Sequence, residues 1–189
     1  MYEEVRVPEP RFVRELMHTK RYAWLWMLLR VYVGWQWLKA GWGKVGAEAW
    51  KTGAALQGFW SNAVAVPEGA RPVITYDWYR AFLTFLLEGG HYTWFGPLIA
   101  WGETLVGVAL IVGAFTGIAA FFGAFMNFNF MLAGTTSTNP VLFTLAVLLI
   151  LGWRVAGQWG LDAYLLTKLG TPWAPVKVRP RNVTRELRA

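Results

Sequence analysis

The stretch YAWLWMLLRVYVGWQWLKAGWGKV, Tyr22 to Val45, decides the fold class, because it is apolar and long enough to cross a bilayer yet carries Arg30, Gln36, Lys39 and Lys44. At ~1.5 Å per residue a helix of this length reaches the ~30 Å hydrocarbon thickness of a membrane. Steps of four and three from Arg30 give Gly34, Trp37, Gly41 and Lys44, one stripe on a helix of ~3.6 residues per turn. The small residues in that stripe predict close approach of another helix. Gln36, Lys39 and Gly43 fall on the other side, so polarity is not confined to one face. A cation in hydrocarbon costs at least ~2.5 kcal/mol, so Arg30 is expected to face protein or water. Lys39 and Lys44 lie near enough to the end to snorkel.

The rest of the chain fits a small polytopic membrane protein: of 189 residues, 56% are hydrophobic and only 15% charged, with mean hydropathy +0.33. The first apolar run does not read as a cleavable signal, since it lacks a short apolar core followed by a small-residue cleavage site and is rich in Trp. The absence of cysteine excludes disulfides, thiol redox chemistry, iron–sulfur ligation and a thiolate nucleophile within this chain. A net charge of +7 could suggest nucleic acid, but no basic stripe with interleaved aromatics occurs on a soluble module, so no nucleic-acid partner is expected. Thirteen Trp, seven Tyr and twelve Phe suit belts at the two membrane interfaces.

Read in order, the chain is one all-α domain, an integral membrane four-helix bundle with amphipathic surface helices between the first and second spans. Met1 to Arg21 is expected to lie on the membrane surface, and the spans are expected at about 22–45, 97–115, 117–134 and 140–156. Segment 46–96 is too polar to cross and too aromatic for a connector. It repeats apolar groups at Ala49, Gly53, Leu56, Trp60 and Ala63, stops at Pro67, Gly69 and Pro72, and resumes at Tyr79, Phe82, Leu83 and Leu86 after Asp77. Trp50, Phe59, Trp60, Trp78 and Trp94 are expected to cover the mouth of a pocket. The basic tail, 157–189, reads as a surface helix from Asp162 to Leu169 and an extended end through Pro172, Pro175 and Pro180. Arg11, Arg14, Lys20 and Arg21 before the first span, with Arg154, Lys168, Lys177 and Arg179 after the last, predict a multi-pass protein of the cell membrane with both termini in the cytoplasm.

Glu103 is the only acid inside an expected span. Counting from the outer ends puts it level with Leu38, within easier reach of Lys39 or Lys44 than of Arg30. It reads either as a proton-accepting carboxylate, kept ionised by Lys44 or Lys39, or as half of a structural ion pair. Arg30 and Asn127 fall at similar depth near the midplane, where together they could polarise a quinone carbonyl. Asn129 would add a second amide, and Trp37, Trp101, Phe125 and Phe128 flat walls. The alternative is that these amides and rings only hold helices together. His18 and His91 fall on opposite sides of the membrane, which excludes a haem held between them, and no metal or haem is expected.

Taken as an ordered set, Arg30-x3-Gly34-x6-Gly41-x2-Lys44, Gly102-Glu103-x3-Gly107-x5-Gly113-x2-Thr116, Met126-Asn127-x-Asn129, Asn139-Pro140 and Gly160-Leu161-Asp162-x-Tyr164-Leu165 resemble the DoxX/DoxD family. The resemblance covers Tyr22 to Leu169 and implies a four-helix membrane fold. Through the DoxD branch, which includes the membrane subunit of an archaeal thiosulfate:quinone oxidoreductase, it implies a quinone-linked oxidoreductase subunit with a sulfur anion such as thiosulfate as donor. Other members are linked to oxidative-stress complexes or have no assigned activity. A non-catalytic anchor or accessory subunit of a respiratory complex, or a small-molecule carrier, therefore stands as the alternative. Membrane lipids and either partner subunits or further copies of the chain are the expected partners.

Overall fold

The computed structural model describes residues 9–169. Lys177, Arg179 and the expected extended end through Pro172, Pro175 and Pro180 lie outside the described residues, as does the start of the expected surface segment, 1–8. All regular structure among the described residues is helical. The chain runs through α1 (Arg11–His18), a 3-10 turn at Lys20–Tyr22, α2 (Ala23–Val45), α3 (Glu48–Lys51), α4 (Ala54–Val64), α5 (Asp77–Glu88), α6 (Tyr92–Val112), α7 (Thr116–Leu132), α8 (Asn139–Leu151), α9 (Trp153–Ala156) and α10 (Asp162–Lys168). One helix, α6, is long and apolar enough to cross a membrane; α7 and α8 are apolar but shorter, at 17 and 13 residues.

α2 and α6 run antiparallel along their length and form the most extensive packing in the molecule. The reason is glycine. A Cβ at Gly34 would sit 2.9 Å from the carbonyl oxygen of Gly107, one at Gly41 would overlap the backbone nitrogen of Thr104, and one at Gly107 would overlap the backbone of Leu38. Backbones this close allow dispersion contacts along the whole seam. The second pair, α7 and α8, closes through the turn at Gly134 to Thr138 and completes a core around Trp26, Val33, Trp37, Leu110, Ala120 and Leu149. A smaller core around Leu56, Trp60, Ile74, Tyr79 and Leu83 joins α4 and α5 across one end of the bundle, hereafter the capped end. The terminal end, opposite, carries α1, α9 and α10.

Several boundaries differ from expectation. α6 begins at Tyr92, with Pro97 inside it, so Pro97 forfeits one backbone hydrogen bond without starting or ending the helix. The additional turn is held from outside: Gly53, in the left-handed region at φ 82°, lies against the Tyr92 carbonyl, and a Cβ at Gly96 would come 2.8 Å from the Trp50 carbonyl oxygen. That same Gly53 divides the expected first surface helix into α3 and α4. The expected last span is divided too. A Cβ at Gly152 would come 2.5 Å from the Trp26 ring, and there α8 gives way to α9.

Gly41 and Gly43 are two residues apart and should respond oppositely to substitution. Gly41→Leu forces α2 from α6 and should lower stability by ~2 kcal/mol or more. Gly43→Ala, where a Cβ meets nothing within 4 Å, should be neutral or raise stability by up to ~1 kcal/mol, because alanine loses less backbone entropy in a helix. Thermal unfolding of the two purified variants in detergent reads the difference.

Candidate functional site

A cavity of about 540 Å³ opens at the capped end between α2, α6, α7 and the α7–α8 turn. Glu103, 1% exposed, projects from α6 into its wall, and its Oε2 lies 2.5 Å from Lys44 Nζ in the last turn of α2. The ammonium also lies 5.1 Å from the centroid of the Trp50 ring, so an aromatic face covers the side of the pair. Lys44 is the partner, and Lys39 only lines the cavity, because Thr104 sits beside Gly41. Glu103 therefore lies about one helical turn nearer the capped end of α2 than the count from Pro97 implied. The cause is that α6 runs past the end of α2, so the two helix ends are not level as the count assumed.

Two more groups reach this cavity without hydrogen-bond partners among the described residues. Asn127, wholly buried on α7, leaves both Oδ1 and Nδ2 unpaired, and Trp37 leaves its indole Nε1 unpaired. Both line the cavity with Glu103 and Lys44. A buried unpaired polar group costs ~1–3 kcal/mol, and the lining of this pocket gathers three such atoms beside an ion pair, Arg30 Nε and Thr116 Oγ1 being the others among the described residues. Chemically its lining brings together the Glu103 carboxylate, the ammoniums of Lys44 and Lys39, the amides of Asn127, Gln36 and Asn139, the hydroxyls of Thr135, Ser137 and Thr138, and the indole of Trp37. The walls include the rings of Trp37, Trp50, Phe59 and Phe130.

The other expected site residues are elsewhere. Asn129, two positions from Asn127 and so on a different face of α7, donates from Nδ2 to the Phe125 carbonyl (2.8 Å) and accepts from Tyr79 Oη (3.2 Å). It ties α5 to α7 and does not share the pocket with Asn127. Burial pushes the Tyr79 hydroxyl up to about 12, which keeps it a neutral donor in that contact. Trp101, two positions before Glu103, points away from the pocket and is 52% exposed. Of the five aromatics expected over the mouth, Trp50 and Phe59 line the cavity, Trp60 is buried in the cap, and Trp78 and Trp94 are exposed. Phe125 and Phe128 are exposed on α7. Among the described residues no group of three His, Asp or Glu is placed to hold a metal ion.

Arg30 requires the largest correction. It makes no hydrogen bond to Asn127 and does not line the cavity. Its Nη1 donates to the carbonyls of Leu110 (2.5 Å) and Ile111 (3.0 Å), and Nη2 to that of Trp159 (3.0 Å). The last carbonyls of a helix have no partner within it and carry the negative end of its dipole, so they compete successfully for a buried cation. Gly113, at φ 70°, leaves the space that the guanidinium fills. Asp162 completes the arrangement by accepting from the amides of Phe115 (2.5 Å) and Thr116 (2.9 Å) at the start of α7. Its own amide donates to the Gly113 carbonyl at 2.8 Å. Asp162 opens α10 as expected, but it is buried there and supplies a negative charge near Arg30. The sequence signal was Gly160-Leu161-Asp162, three residues whose side chains and lack of them fit one tight turn.

Arg30→Met should therefore damage the fold and spare the distant pocket. It leaves the α6 carbonyls and Asp162 unmatched, and a loss of ~3 kcal/mol or more is expected. The check is a thermal melt of the variant beside Arg30→Lys, which keeps the charge but not the forked donors and should fall between.

Comparison with known proteins finds no match to this chain among family models, curated proteins or solved structures.

Proposed function

We propose that the chain is a four-span integral protein of the cell membrane, of the DoxX/DoxD type, whose pocket at the outer end binds a quinone, and that it serves as the membrane subunit of a quinone-linked oxidoreductase. In this reading α2, α6, α7 and the α8–α9 unit cross the bilayer. The support is the apolar surface they expose: Leu28 and Trp35 on α2, Leu98 and Leu105 on α6, Phe121 on α7 and Leu151 on α8 all face outward. Apolar surface on every long helix is far more than a water-soluble monomer ordinarily carries. The basic residues around α1 and α10 favour the cytoplasm for the terminal end, which places the capped end outside.

One observation carries the quinone reading: the unpaired amide of Asn127 and the unpaired indole N–H of Trp37 meet the Glu103–Lys44 pair in a ring-walled cavity. A quinone, when bound, supplies two-electron, two-proton chemistry at two carbonyl oxygens on a flat ring. Asn127 Nδ2 and Trp37 Nε1 are donors suited to such oxygens, and Glu103 is a carboxylate able to hold a proton at Oε2 beside them. Lys44 balances the carboxylate charge, which would otherwise be prohibitive at this burial. The electrons come from a donor outside this chain's own residues; the family resemblance favours a sulfur anion, delivered with a partner subunit or a further copy. The residues of that resemblance also keep company in space, since Gly34, Gly41, Lys44, Glu103 and Gly107 share the α2–α6 seam.

Asn127→Leu tests the site directly. It removes polar atoms that no described residue satisfies, so stability should hold or rise by ~1 kcal/mol, while quinone affinity in a fluorescence titration should fall by about tenfold. Unchanged affinity would remove Asn127 from the site. Topology is tested by single-cysteine labelling of this cysteine-free chain. Ser61→Cys should react with an impermeant reagent added outside whole cells, and Thr167→Cys only after permeabilisation. Labelling of both from one side would refute the span count.

A further inference from the structure

Beside the polar pocket lies a second cavity of about 490 Å³, with no part in the chemistry above. It is the space between α6 and α7 over 95–106 and 122–133, roofed by α4 and α5. Along α6 this distance is ~16 Å. Its interior is buried at Leu83 and Leu86 on the α5 side and at Val106 on α6, and its rim is exposed at Leu98, Leu105, Phe122 and Phe125, so it opens sideways from the bundle. No charged residue lines it, and its polar side chains, Tyr79 and Asn129, are hydrogen-bonded to each other. Three side chains, Leu56, Phe59 and Phe130, line both this cavity and the polar pocket, so only a partition of rotatable groups separates them. Midway along, Gly102 keeps the gap clear, since a Cβ there would meet only the Met126 sulfur at 3.7 Å.

We propose that this lateral cavity receives the hydrocarbon tail of the quinone whose ring occupies the polar pocket, so that the substrate class is a long-tailed membrane quinone entering sideways from the lipid. The proposal rests on the ring-binding reading and deepens it. A phospholipid chain is the competing occupant, but a phosphate headgroup needs cationic or N–H partners and this cavity offers no charge at all. Adjacency to the Glu103 pocket across that partition supplies what a tailed quinone needs, a polar chamber for the ring beside an apolar one for the chain, with the side chains of Leu56, Phe59 and Phe130 turning aside to let the tail through. Because the tail leaves lipid and not water, its burial adds little hydrophobic free energy. The cavity acts by shape: a ring can seat only if its tail has a way out.

The experiment compares a tailless tetramethylbenzoquinone with a decyl-substituted benzoquinone on the purified protein. Wild type should bind both. Gly102→Phe fills the cavity midway along, and Leu105→Trp narrows it from the exposed rim without touching a helix seam. Each should lower affinity for the decyl compound by about tenfold more than for the tailless one. Equal effects on both ligands, in both variants, would overturn the tail site and leave the ring site standing. Failure of wild type to bind the tailless ring would overturn the ring site itself and the tail site with it. A phospholipid retained by wild type in native mass spectrometry and lost in Gly102→Phe, with the quinone ratio unchanged, would assign the cavity to lipid and overturn the proposal.

Discussion

A guanidinium with 1% exposure needs acceptors around it, and the terminal end of this bundle supplies them to both Nη atoms of Arg30, leaving Nε unpaired among the described residues. The acceptors are the final carbonyls of α6 and one from the loop before α10. Holding them in place fixes the α6–α7 hairpin. Gly113 and Phe115 both take left-handed backbone there, and Asp162 matches the amides that the turn exposes. Phe115 at φ 49° is costly for a residue with a side chain, and the hydrogen bond its backbone N–H donates to the buried Asp162 carboxylate offsets that cost. Cation and carboxylate thus neutralise two facing helix ends, a stronger arrangement than a pair of opposite charges alone.

The glycine seam connects this clasp to the pocket. With Gly34, Gly41 and Gly107 in backbone contact, α2 and α6 have little freedom to slide. Arg30 at one end and Lys44 at the other are therefore set in register together, one against the last carbonyls of α6 and one against Glu103. A shift by one turn would break both. The same close approach leaves little room for water around Glu103, which strengthens its attraction to Lys44 and raises the penalty for losing it.

Near the capped end the packing is different in kind. α6 extends past the end of α2 and is flanked instead by α3 and α4, while α6 and α7 leave a gap that α5 roofs. Tight glycine contacts at one place and an open gap at another are both consequences of residue size: Gly41 admits the backbone of α6, and Gly102 faces only a flexible Met126. The two cavities divide by chemistry along the partition of Leu56, Phe59 and Phe130, with nearly all the unpaired polarity on one side.

The sequence by itself determined the all-helical class and the stripe of small residues from Arg30 to Lys44, because periodicity and glycine placement are local properties of a helix. It also narrowed the partner of Glu103 to two lysines, since one acid among apolar residues leaves few cations within reach. Only the tertiary structure decided between them, because the glycine contacts set Gly41 beside Thr104 and let α6 run past the end of α2, so a count from helix ends could not give the register. The partner of Arg30 was equally hidden. Backbone carbonyls at a helix end have no signature in the side-chain sequence, and Asp162 reaches them through a fold-back of the chain. Asn127 and Asn129 look alike in sequence, and Trp101 looks like any wall of a pocket; which way each faces was settled by the rotation of α6 and α7 about their axes, which packing alone fixes.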